Sequence, residues 1–211
     1  MKQLPTFTVD ELRSLYEEKS VAIKARLKDF AGVSPDDYFY ELAYCLLTPQ
    51  SSAFAAAKAI TLLKEHRFHH RNINPEKLLH QKEFYIRFHK TKAKHLVALK
   101  EQFPSVHGQL VGVLSSLQLR EWLAINVIGM GWKESSHFLR NIGRRDLAIL
   151  DRHILKNLVR VGVLKRLPKS LTPKRYKQIE EKFHTFAKQI GIPMDELDLL
   201  FWSLETGTIF K

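Results

Sequence analysis

Cysteine is almost missing from this chain. One residue of that kind, Cys45, occurs in 211, so no disulfide can form within the chain and neither a cysteine-rich zinc site nor an iron–sulfur cluster can be assembled. Long apolar runs are missing too: no stretch approaches the roughly 18 uninterrupted apolar residues of a membrane span, and the opening MKQLPTFTVDELRSLY has no apolar core of a secretory signal. An intracellular, soluble protein of the cytoplasm or nucleoid is expected, with no membrane partner. Acidic residues are scarce, at 22 Asp+Glu against 34 Lys+Arg, a formal charge of +12. That balance favours a polyanionic partner over an acidic small molecule, although charge alone does not separate DNA, RNA and anionic lipid. Internal repeats, low-complexity tracts and long linkers are absent as well, and the 45% hydrophobic content is that of a folded globular chain.

Nearly every segment instead carries apolar residues at helical period, and no Asn-Gly or Asp-Gly turn joins alternating strands, so the fold class is all-α. Thr8 with Glu11 reads as a capping box opening a helix through Leu12, Leu15, Ala22, Ile23 and Leu27, ended by Gly32. Ser34-Pro35-Asp36 restarts the chain. Tyr38–Leu47 is apolar on nearly all sides, which places it at a protein centre, and Thr48-Pro49-Gln50 breaks it before an alanine-rich helix. Further helices are expected at Lys92–Phe103, Gln118–Val127, Trp132–Ile142, Arg152–Val161, Pro173–Ile190 and Asp195–Leu204. Residues 64 to 94 form a basic, histidine-rich stretch, in which Lys90, Lys92 and Lys94 read as part of a phosphate-binding face.

The densest chemistry lies between Val127 and Leu155. Gly129-Met130-Gly131 permits a tight backbone path whose peptide N–H groups can meet a phosphate, and Lys133 follows in the first turn of the next helix. Asp151 comes eighteen positions later, immediately before the apolar run Ile154, Leu155, Leu158. Read alone, Lys133 could contact a phosphate and Asp151 could cap its helix. Their order and spacing together favour catalysis.

Val127-Ile128-Gly129-Met130-Gly131-Trp132-Lys133 resembles the LPGVGxK hairpin of the helix-hairpin-helix DNA glycosylase superfamily, with Ile128 where the family has proline, and Leu150-Asp151-Arg152-His153 resembles its VDxH motif. The short end Glu-Thr-Gly-Thr-Ile-Phe-Lys resembles that of the compact second family of 8-oxoguanine DNA glycosylase/lyases. The resemblance implies two helical lobes with a DNA-binding cleft between them, residues 35–142 carrying the hairpin and residues 1–34 plus 143–211 carrying the aspartate. It implies a bifunctional glycosylase/AP lyase of base-excision repair acting as a monomer on double-stranded DNA that contains oxidised guanine, without a cofactor. Lys133 would be the nucleophile and Asp151 the group that stabilises the sugar cation, while Gly129, Met130 and Gly131 bind DNA. An amine attacks only in its neutral form, which a helix N-terminus and a desolvated site both favour.

Reading a damaged base requires its extrusion and stacking on flat side chains. Phe88 and Trp202 are the candidates for stacking, Gln50 for filling the vacated stack, and Lys211, on the family resemblance, for distinguishing the lesion from guanine. The histidines His66, His69, His70, His80 and His89 lack an organised carboxylate or cysteine partner, and no metal site is expected. The alternatives are the same chemistry on another oxidised base, and a helix-hairpin-helix module that grips duplex DNA without acting on it.

Overall fold

The structure is a computed structural model and describes residues 6–210. Among these the regular elements are helical, with one isolated bridge between His80 and Tyr85. The α-helices are α1 (Val9–Ala31), α2 (Tyr38–Leu47), α3 (Ala53–Glu65), α4 (His89–Leu110), α5 (Ser116–Asn126), α6 (Trp132–Asn141), α7 (Arg152–Arg160), α8 (Pro173–Ile190) and α9 (Met194–Thr206). None of them is long and apolar enough to cross a membrane. Among the described residues no group of three or more His, Cys, Asp or Glu is gathered as metal ligands. The chain divides into two compact units, Val33–Ile142 and Met1–Gly32 with Gly143–Lys211.

In the Val33–Ile142 unit, α2 is the centre, as its composition predicts. Phe39, Leu42, Ala43, Cys45 and Leu47 are fully buried, and α3, α4 and α6 pack around it. Its one carboxylate, Glu41, accepts a hydrogen bond from Asn141 Nδ2 at 3.2 Å, tying the end of α6 to the core helix. Helix α4 is longer than the predicted Lys92–Phe103 and runs on through Pro104. An interior proline costs about 3 kcal/mol. Leu96, Leu99, Phe103, Val106 and Leu110 nevertheless form one buried stripe at spacings of three and four, and burial of that stripe offsets the lost hydrogen bond.

In the other unit α9 is central, with Leu197, Leu199, Leu200 and Phe201 fully buried and α1, α7 and α8 packed against it. The expected Thr8–Glu11 capping box opens α1 and Gly32 closes it. Between Gly143 and α7 the chain is not helical, yet Leu147, Ala148, Ile149 and Leu150 are all buried. Buried backbone needs partners, and α8 supplies them. Glu180 Oε1 accepts from Ala148 N at 2.8 Å, while the Tyr176 hydroxyl accepts from Leu150 N at 3.2 Å and donates to Ala148 O at 2.5 Å. These bonds fix the segment that delivers Asp151. Tyr176→Phe keeps the ring and leaves two buried backbone groups short of a partner. A loss of about 2 kcal/mol is expected, read as an earlier midpoint in urea denaturation.

Candidate active site

Helices α5 and α6 are the arms of the hairpin and pack on each other. Arg120 locks them together from within, its guanidinium 4.7 Å from the Trp132 ring centre and its Nη1 donating to Ser136 Oγ at 3.4 Å. Gly129 has φ +86, a left-handed path that favours glycine, and a Cβ there would lie 2.4 Å from His95 Nδ1. Gly131 caps α6, and a Cβ on it would lie 2.9 Å from Glu134 Oε2. Met130 differs from its neighbours. Its side chain is buried and its N–H is donated to Val127 O at 3.1 Å, so it fills the inside of the turn.

Lys133 stands in the first turn of α6, where the helix dipole is positive. Its Nζ lies 3.0 Å from Glu134 Oε1, both side chains being largely buried. Neighbouring helix positions do not normally face each other, so this pairing requires the two side chains to bend toward one another at the helix start. Glu134 was not among the sequence candidates. Its signal was present, as an acid directly after the lysine in the first turn.

Beside the hairpin, α4 presents Lys92 and His95. Lys92 departs from the expected phosphate-binding face: it is 5% exposed, unlike exposed Lys90 and Lys94. Burial lowers its ammonium from the usual lysine value to about 8, the charge of Lys133 acts in the same direction, and Glu134 opposes both. The ammonium donates to Leu47 O at 2.7 Å, Pro49 O at 2.6 Å and Ser51 Oγ at 3.2 Å. Burial also lowers the His95 imidazole, and the Lys92 charge adds to that shift. Gln50 and Phe88 are both exposed, and both hold the left-handed backbone, with φ 56 and φ 59. Phe88 immediately precedes α4, and the Arg87 guanidinium sits 5.0 Å from its ring centre.

In the other unit, Asp151 is the N-cap of α7. Its Oδ1 accepts from His153 N and Ile154 N, each at 2.8 Å. Both bonds fall on one oxygen, so Oδ2 has no partner among the described residues. The capping and catalytic readings are thus compatible in one side chain. His153 meets the Trp202 ring edge-on at 5.2 Å, which sets the indole beside the start of the aspartate helix. Trp202 is half-buried, and its Nε1 has no hydrogen-bond partner among the described residues. Lys211 lies outside the described residues.

Helices α7 and α9 are joined through Glu205, a second residue that the sequence did not single out. Its carboxylate accepts from Lys156 Nζ at 2.7 Å and Arg160 Nη1 at 2.5 Å, and His153 Nδ1 lies 3.8 Å away. Burial pushes this carboxyl up, but the Lys156 hydrogen bond and the charges of Arg160, Lys156 and His153 together outweigh it and lower the pKa below the ordinary 4.5. A lowered carboxylate stabilises the fold above its ordinary pKa and ceases to do so as pH falls through the folded value. Glu205→Gln is therefore expected to cost about 2 kcal/mol at pH 7. Its deficit in denaturation midpoint relative to the parent should shrink as the pH is taken below 4.5.

The sequence matches the family described as 8-oxoguanine DNA glycosylase over residues 23–192. An 8-oxoguanine DNA glycosylase/AP lyase of Fusobacterium nucleatum is 43% identical over 96% of this chain and 97% of its own, and one from Korarchaeum cryptofilum is 36% identical over 90% of each. The crystal structure of the Thermotoga maritima 8-oxoguanine DNA glycosylase superposes with a TM-score of 0.84 at 31% identity, covering 96% of this chain and 98% of that one. The Methanocaldococcus jannaschii 8-oxoguanine glycosylase/lyase, solved in complex with a 15mer DNA containing 8-oxoguanine, gives 0.86 at 28% identity over 96% and 99%. With its glycine hairpin, the lysine behind it and a carboxylate capping α7, this chain belongs to the 8-oxoguanine DNA glycosylase family.

Proposed function

We propose that this chain excises 8-oxoguanine from duplex DNA and cleaves the strand at the resulting abasic site, with Lys133 as nucleophile and Asp151 as the stabilising carboxylate. The observation that carries the assignment is the place of Lys133, in the first turn of α6 directly behind the Gly129–Gly131 hairpin. Peptide groups of the hairpin hold a backbone phosphate, as glycine-rich turns at a helix start do. The neutral Lys133 amine adds to C1′, the C1′–N9 bond breaks, and its electron pair leaves with the base, which takes up a proton. Opening of the sugar ring leaves a protonated Schiff base. Loss of a C2′ proton then expels the 3′ phosphate by β-elimination.

Asp151 stabilises the positive charge that grows on the sugar as the base departs, and its Oδ2 is the oxygen available for that task while Oδ1 holds the helix start. Glu134 is the base nearest the amine and accepts its proton. Phe88 and Trp202 supply flat faces for the extruded base, Gln50 fills the vacated stack, and Lys211 at the chain end reads the oxidised ring. The protein acts as a monomer and needs no cofactor for these steps.

Lys133→Gln is expected to abolish strand cleavage and borohydride trapping on an 8-oxoguanine duplex while keeping most of the duplex affinity, since one charge among many is a small share of phosphate binding. A trapped adduct at the parental level would return the reading to a DNA-gripping protein with its chemistry elsewhere. Asp151→Asn keeps an oxygen for the cap and removes the charge. Base excision should fall by about a hundredfold or more with the melting temperature nearly unchanged, checked by single-turnover kinetics beside thermal denaturation.

A further inference from the structure

Gln50 and Phe88 come from different loops, one ending α2 and the other opening α4, and both hold a backbone conformation that non-glycine residues rarely adopt. Strain of this kind persists only where the surroundings over-determine it. The surroundings here are one hydrogen-bonded assembly. Lys92 Nζ donates to Leu47 O and Pro49 O on one side of the break after α2, and to Ser51 Oγ on the other. Gln50 is thereby bracketed by the residues before and after it. The same Ser51 Oγ accepts from Arg87 N at 3.0 Å, which fixes the Ile86–Arg87 peptide, one residue before Phe88.

We propose that Lys92 is a positioning residue for base extrusion: its buried ammonium ties the Gln50 loop to the Phe88 turn through Ser51, and so sets the spacing between the side chain that enters the DNA stack and the ring that receives the lesion. This rests on the reading of Gln50 and Phe88 as DNA-contacting residues. The lysine is kept buried although burial disfavours its charge. A purely packing role at that place would be met by methionine or leucine. An ammonium gives what those cannot, three donors radiating from one atom toward acceptors on two sides of the loop. Lys92 also precedes His95 by one turn of α4, and His95 abuts Gly129, so the same helix face supports both the loop and the hairpin.

The proposal separates two activities. Excision of 8-oxoguanine requires the base to leave the stack, whereas a preformed abasic site has no base to extrude. In the full-length protein, Lys92→Met is expected to slow single-turnover excision of 8-oxoguanine about tenfold to a hundredfold; because the Lys92 charge also acts on Lys133 and Glu134, cleavage of a preformed abasic duplex falls as well, but at least about threefold less than excision does. The fluorescence rise of 2-aminopurine placed next to the lesion, which reports unstacking, should shrink in parallel. Ser51→Ala removes only the link between the loops and should give the same selectivity at a smaller size, about threefold to tenfold. It serves as the test if the methionine variant does not fold. Lys92→Arg, which keeps the charge and several donors, should recover part of the excision rate.

Gln50→Ala and Phe88→Ala run alongside. If these two lose excision while Lys92→Met and Ser51→Ala do not, the tie is overturned and the contact reading stands. If neither alanine variant loses excision, the contact reading itself fails and the proposal with it. Equal loss of both activities in Lys92→Met and Ser51→Ala would make the assembly merely structural.

Discussion

The first turn of an α-helix leaves backbone N–H groups with no partner inside the helix, and the groups proposed above to react or to contact DNA gather around that constraint. Lys133 occupies such a turn in α6, Asp151 caps α7, Phe88 immediately precedes α4, and Gln50 lies two residues before Ser52, whose side chain caps α3. A helix start is positive and faces outward, which suits both a phosphate and a group that must act on a sugar beside it. The solutions differ with the task. Thr8 and Ser115 cap with neutral hydroxyls at starts that carry none of these groups. At α6 the cap is Gly131, with no side chain in the way of an approaching backbone, and at α7 it is a full carboxylate.

Holding those starts in place falls to side chains some distance along the sequence. Asp151 depends on the buried irregular segment before it, which depends on Tyr176 and Glu180 of α8. Its helix depends in turn on Glu205 of α9. The α6 start depends on Arg120 of α5 and on the close fit of Gly129 against His95 of α4. Tyr176, Glu180, Glu205 and Arg120 do this through directional bonds, and His95 through close packing on Gly129. Apolar packing alone would hold the helices together without defining the angle of a loop to within an ångström, which is the precision that reaction at one sugar carbon requires.

Helices were legible in the sequence where one local rule decided the matter. The Thr8–Glu11 box, the all-apolar α2 and the glycine hairpin each carry their own physical explanation. The continuation of α4 through Pro104 was not legible, because the proline is locally forbidding and the stripe that overrules it is visible only once its burial partners are known. Lys92 was misread for the same reason. Between Lys90 and Lys94 it looks like one more surface cation, and nothing nearby in sequence announces that its acceptors are the carbonyls of Leu47 and Pro49, more than forty residues earlier. The burial of the Met130 side chain was not legible either, since the hairpin was read for its peptide groups and a tight turn needs a plug as well as a flexible backbone. The placement of Asp151 and Lys133 at helix starts was legible, because sequence marks such starts well.

The excess of positive charge sharpens the role of the few acids near these groups. Glu134 lies against Lys133, and Glu205 gathers Lys156, Arg160 and His153. In a chain of formal charge +12, an acid placed among cations both stabilises the fold and sets which cations remain available to a phosphate. Lys156 and Arg160 are engaged by Glu205 and partly shielded, whereas Lys90 and Lys94 are exposed and form no ion pair among the described residues. Under the proposed function, attraction of DNA and alignment of the reacting groups fall to different cations. The first task needs hydrated, mobile charge, and the second needs charge that is buried, bonded and fixed.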